Sequence, residues 1–177
     1  APPYIAPSRL QRGRFSPTRF ICRATPARAG WVCSAADKRY PLAIPLMIQQ
    51  TEVMSLLLKA CPGFSEAWAE HLREHGNDLL YVAAGSFARH LLSLHESGQL
   101  SLLPAAGEAI EQLHVNGSPW VKEFATIGLL EGIQNVWSHC NADPEFFRQF
   151  LGPESQRWWV GLNKFWSGQA PRVQADG

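Results

Sequence analysis

Residues 120–140 read WVKEFATIGLLEGIQNVWSHC. Set out at 100° per residue, Trp120, Phe124 and Ile127 fall on one side of a helix, while Val121, Leu129, Ile133, Val136 and Trp137 spread over the rest. A helix that is apolar all round is buried all round, so this segment is the expected centre of the fold. Ser118-Pro119 places a cap and a proline at its first helical position. Gly128 and Gly132 leave one face without side-chain bulk, where a neighbouring helix can close in. Glu131 falls among Trp120 and Phe124, where a lone carboxylate is costly; it needs a partner or an opening onto a groove.

Working outward, the same periodicity continues in both directions. TEVMSLLLKA gives a first helix, stopped by Pro62-Gly63, and Ser65 is placed to cap EAWAEHLREH, which Gly76-Asn77 ends. Asp78 is placed to cap LLYVAAGSFARHLLSLHES, which runs to about Gly98. A loop around Pro104 leads to AAGEAIEQLHV, closed by Asn116-Gly117. Beyond the central helix, Asn141 or Asp143 starts PEFFRQFL, and Gly152-Pro153 separates it from ESQRWWVGLNKFW. No segment alternates as a strand does. The expected fold is all-α: about seven helices with short connections, as a compact irregular bundle of antiparallel neighbours or a short array of helical pairs. No repeat of solenoid length is present.

Charge divides the chain. Residues 1–46 carry eight basic groups against Asp37 alone, with seven of the thirteen prolines. Residues 47–177 hold the other eight basic groups against fourteen acids, a net charge of −6. The first segment cannot assemble an apolar face and is expected to be a disordered basic arm. Its composition is open to three readings: an organelle transit peptide, an arm for nucleic acid or anionic lipid, or sequence upstream of a working start at Met47. Residues 47–168 are expected as one domain and 169–177 as a flexible tail. Cys22, Cys33, Cys61 and Cys140 show no paired spacing, and no apolar run is long enough to span a bilayer, so a cytoplasmic setting is expected.

Candidate chemistry is sparse. His71-Leu72-Arg73-Glu74-His75 spells H-x-x-E-H, the spacing of one zinc-peptidase family, and residues four apart share a helix face. The helix ends directly after His75, however, and no third ligand has a distinguishing neighbourhood, so packed histidines beside Trp68 and Leu72 are the expectation and zinc hydrolysis the alternative. His90 and His95 lie about 140° apart on their helix, a poor chelating pair. Cys61 and Cys140 lack a base on the same face, Ser86 lacks the glycines of a nucleophile elbow, and no phosphate loop or dinucleotide fingerprint occurs. No catalytic, cofactor or metal residue is therefore assigned. Trp158 and Trp159 are adjacent and cannot both face one core, so one of them is a candidate anchor for a protein partner.

Val121, Glu123, Gly128, Leu130, Glu131, Gln134 and Asn135, followed by Phe150, Leu151, Gly152, Pro153, Ser155, Trp159, Leu162 and Trp166, resemble the pattern of a group of small bacterial all-helical proteins. The resemblance lies mainly over residues 118–168. It implies an immunity-like protein that binds a cognate toxin and has no catalysis. Glu131, Asn135, Trp158 and Trp159 are the candidate partner-binding residues. A domain of net charge −6 suits a basic protein partner and does not suit nucleic acid or a membrane. A helical scaffold without a toxin partner is the remaining alternative.

Overall fold

The central helix forms, but it is not a uniform α-helix. In the computed structural model, which describes residues 47–176, the chain is α-helical over Pro119–Glu123, π-helical over Phe124–Leu130 and α-helical again over Glu131–His139. These pieces are continuous and are called α5 (119–139). Within the π segment the Thr126 hydroxyl donates to the Lys122 carbonyl at 3.1 Å, a side-chain bond back along the helix of the kind that bends helices. A turn closed i→i+5 carries one extra residue, which sets every later side chain back by about 100°. Ile127, expected beside buried Phe124, is consequently 37 % exposed.

Around α5 lie α1 (Gln50–Ala60), α2 (Ser65–His75), α3 (Leu80–Glu96), α4 (Leu103–Asn116), α6 (Glu145–Arg148) and α7 (Pro153–Trp166), with single 3₁₀ turns leading into α2 and α4. The all-α architecture of seven helices is as expected. Among the described residues the only β pairing is an isolated bridge, in which the Ile48 amide donates to Asn116 and the Ser118 amide to Ile48. No described helix is long and apolar enough to cross a membrane. The expectations for residues 1–46 lie outside the described residues.

The most extensive packing is between α3 and α5. Tyr81 meets Phe124, while further along both helices Trp137 donates its indole N–H to the Ala88 carbonyl at 3.3 Å and stacks on His95. The pair is therefore parallel rather than antiparallel, which is possible because α4 carries the chain back between them. Their interface, with Phe87, Leu91, Leu129, Ile133 and Trp137 all fully buried, is the middle of the core.

Three expected caps are not made. Ser65 sits inside a helix that already begins at the Pro62–Phe64 turn; Asp78 is displaced by Leu79, which takes the N-cap of α3 in a left-handed conformation (φ 54°); and Ser118 precedes α5 without a side-chain cap. Of the two candidates before α6, Asp143 accepts the Glu145 amide at 2.9 Å, and Asn141, at φ 58°, follows the end of α5. The expectation for the glycines holds at Gly128, whose Cα is covered by Phe124 and Tyr81, and fails at Gly132, which faces open space. The tight approach is at Gly107 instead, where a Cβ would run into the Phe150 carbonyl. Residues 169–176 fold back along α7, with the Asp176 amide donating to the Arg157 carbonyl.

Two helical glycines should thus respond oppositely to alanine. Gly107→Ala forces α4 off the α6–α7 corner and is expected to cost about 1–3 kcal/mol in urea denaturation. Gly85→Ala meets nothing within 4 Å on α3 and is expected to raise stability by up to about 1 kcal/mol through helix propensity.

Candidate functional site

α2 presents the H-x-x-E-H histidines on one face, but their environment is not that of a metal pair. His71 is buried and stacks on Trp68 with the rings 5.2 Å apart. Its Nε2 lies 2.8 Å from the Asp78 carbonyl oxygen, which can only accept, so Nε2 carries a proton and donates. The nitrogen that would bind a metal from this side thereby fastens the α2–α3 turn. His75 packs against His71, whereas Leu72, expected in the same apolar stripe, points to solvent. Among the described residues no three His, Cys, Asp or Glu side chains group closely enough to hold a metal ion.

The polar constellation that the fold does assemble was not visible in the sequence. The first turn of α7 points its amides at Glu111 on α4: Glu154 N–H donates to Oε1 at 3.0 Å and Ser155 N–H to Oε2 at 2.8 Å. The Ser155 hydroxyl donates to the same Oε2 at 2.7 Å. With that proton committed, Ser155 Oγ accepts from His114 Nδ1 at 2.8 Å, and His114 Nε2 lies 3.1 Å from the Thr126 hydroxyl in the π turn. Gly152 leaves the room that the carboxylate fills, since a Cβ there would strike Glu111.

Burial drives the His114 pKa down to about 4, against the pull of Glu111 and Glu154, so the ring is neutral at pH 7. Burial alone would raise Glu111, but the Ser155 hydroxyl and the Ser155 and Glu154 amides outweigh it and hold the carboxyl below its ordinary range. The order carboxylate, hydroxyl, imidazole, hydroxyl differs from a nucleophile–base–acid relay. The Ser155 hydroxyl is committed as a hydrogen-bond donor to Glu111, His114 is too weakly basic to deprotonate an alcohol near neutrality, and both are buried. The arrangement caps a helix and joins α4, α5 and α7.

Directly outside Thr126, α5 and α7 diverge to form a groove of about 350 Å³ lined by Pro119, Lys122, Glu123, Ile127, Trp158 and Val173. Trp158 lies parallel to His114 with the rings 6.4 Å apart, half-buried, and donates its N–H to Glu154. Ile127 is re-aimed into this groove by the π turn. One and two turns further along α5, Glu131 is half-buried and Asn135 exposed. Burial raises the Glu131 pKa, partly offset by a hydrogen bond from Asn135, which is the partner its position demanded.

Three of the four expected partner-binding residues, Glu131, Asn135 and Trp158, therefore follow one outer strip of α5 and its groove. Trp159 does not join them. It has no exposed surface and donates its N–H to Glu145 at 2.7 Å; Asn163 donates to the same oxygen at 2.8 Å and accepts from Gln134 at 3.0 Å. This second polar chain ties α5 and α6 to α7. Of the other groups weighed, Cys61 is buried with its thiol pKa pushed up to about 11, and Cys140 lies exposed at the end of α5. His90 is half-buried, and His95 is stacked between Trp137 and Phe146.

A family model described as a domain of unknown function (DUF7674) matches residues 54–167, and the chain belongs to that family. No curated protein and no solved structure matches the chain.

His114 gives the site a pH signature. Its folded pKa of about 4 lies below the ordinary value of 6.5, so the unfolded chain takes up the proton first, and stability falls as the pH drops from above 6.5 towards 4. The expected loss is on the order of 3 kcal/mol. Denaturant titrations at pH 7.5 and 4.5 should show it in the natural chain, with a smaller difference in His114→Gln. Glu111, held low, adds its own loss only at still lower pH.

Proposed function

We propose that this member of the family is a non-enzymatic protein-binding domain, immunity-like, which neutralises a toxin partner through the outer strip of α5 and the groove beside it. The observation that carries the reading is Ile127. An isoleucine in the middle of the most buried helix is delivered to the surface by a π turn and set next to Trp158 in an open groove. Keeping such a turn forfeits regular helical hydrogen bonding, and π turns occur frequently at functional sites.

The surroundings have the composition of an interface centre. An aromatic ring of low conformational entropy and an aliphatic side chain form the floor, with Lys122 and Glu123 at the rim. Glu131 adds a half-buried carboxylate whose neighbour is an uncharged amide, so a cation from a partner would gain more there than at a fully solvated acid. The net charge of −6 over residues 47–177 favours rapid encounter with a basic protein. A cytoplasmic location and a bacterial partner gene are part of this proposal.

Co-expression with the product of the neighbouring gene tests it. The natural chain is expected to rescue growth and to co-purify as a complex, while Ile127→Arg and Trp158→Ala each weaken binding at least tenfold in calorimetric titration. Trp166→Ala, exposed but outside the groove, should leave the affinity unchanged. Absence of both rescue and complex would sink the proposal. So would stoichiometric zinc in the purified protein that disappears in His71→Ala, since that outcome favours the hydrolase alternative.

A further inference from the structure

One wall of the groove comes from the chain's own tail. At the end of α7, Gly168 (φ 74°) reverses the backbone, and the amides of Gln169 and Ala170 donate to the Lys164 carbonyl at 2.8 and 3.2 Å. The chain then runs antiparallel to α7. Val173 forms one wall of the groove with Trp158 and Ile127, the Gln174 carbonyl rests on Gly161, and the Asp176 amide donates to the Arg157 carbonyl at 3.1 Å. The Asp176 carboxylate pairs with the Lys164 ammonium. Gly161 is decisive for this path, because a Cβ there would collide with the Gln174 carbonyl and lift the segment off the helix.

These contacts describe a ligand. It is a non-helical segment whose aliphatic side chain reaches Trp158, whose backbone lies on a side-chain-free stretch of α7, and whose carboxylate meets Lys164 three residues later. Both helices forming the groove belong to the family domain, whereas the segment that occupies its edge follows residue 167, where the family match ends. We propose that the α5–α7 groove is a docking site for a partner's non-helical segment of this aliphatic-x-x-acid chemistry, and that residues 168–176 are its intramolecular competitor.

The inference rests on the protein-binding reading for its partner, but the tail's role can be tested without one. Net charge governs the long-range encounter, whereas the groove selects locally, so a basic partner can present an acidic residue at Lys164. Closing the site intramolecularly gives the tail an effective concentration of about millimolar. An external segment must therefore displace it, and the apparent affinity falls by the corresponding factor.

The probe is a fluorescein-labelled peptide with the sequence of residues 168–176, titrated by anisotropy into the full chain and into a variant ending at Ser167. Saturable binding to the shortened chain is expected, at least tenfold weaker in the full chain and lost when the peptide carries Asp in place of Val173. Equal affinity for both chains overturns the proposal, as does absence of binding to a shortened chain that still unfolds cooperatively. Should the shortened chain not fold, amide exchange in the full chain decides. The Gln169 and Asp176 amides are expected to exchange at least tenfold faster in Val173→Asp than in the natural chain, and equal rates overturn the proposal. A docked tail with no partner found removes only the protein-binding reading; a partner whose affinity ignores tail removal removes only the tail's role.

Discussion

One carboxylate holds the domain's far-separated segments in register. Glu111, on α4, receives two backbone amides and a hydroxyl from the first turn of α7, some forty residues later in the chain. Those amides have no partner within their own helix, and the negative charge sits at the positive end of the α7 dipole. Each hydrogen bond to a charged acceptor contributes about 1.5–3 kcal/mol where a neutral one gives about 1. Because Ser155 then turns a lone pair to His114, and His114 lies against Thr126, the carboxylate is joined through buried groups to the part of α5 that becomes irregular. A neutral imidazole carries one N–H, and donating it to Ser155 leaves no unpaired donor in the core.

The π turn converts that internal order into a surface. A regular α5 would carry Ile127 inward beside Phe124. With one extra residue in the turn, Phe124 stays buried against Tyr81 and Gly128, while Ile127 opens towards Trp158. The polar chain from Gln134 through Asn163 and Glu145 to Trp159 fastens α7 a few turns further on. α7 is thus held at both ends, and the groove lies where neither fastening closes it.

Much of the fold was legible because helical periodicity and the glycine–proline stops are local properties. The stops at Gly76-Asn77, Gly98 and Gly152 fall between the helices observed, while Pro62-Gly63 forms the 3₁₀ turn before α2 and Pro153 opens α7. Capping side chains were less legible, since Ser65, Asp78 and Ser118 carry suitable groups that tertiary packing leaves unused, while the acid that does cap a helix, Glu111, lies in another helix altogether. The candidate site was legible in part. The adjacency of Trp158 and Trp159 foretold that the two would differ, but not which would be buried. Glu131 was recognisable as an acid needing a neighbour, and Asn135, four residues on, is that neighbour. His114, Ser155 and Thr126 had no signal, because nothing in their spacing brings them together.

By itself, the sequence determined the helical class, the approximate ends of the helices, the division of charge between residues 1–46 and the rest, and the centrality of α5. Those follow from composition and from a period of 3.6 residues, which depends only on near neighbours. The tertiary structure alone decided that α3 and α5 run parallel, that a neighbour closes tightly on Gly107 and not on Gly132, that His71 is a hydrogen-bonded core group, and that Ile127 faces outward. Each depends on groups far apart in the chain competing for the same space or the same hydrogen-bond partner. The outcome at Ile127 depends on the π turn, whose Thr126 hydroxyl faces both the Lys122 carbonyl and His114 from α4.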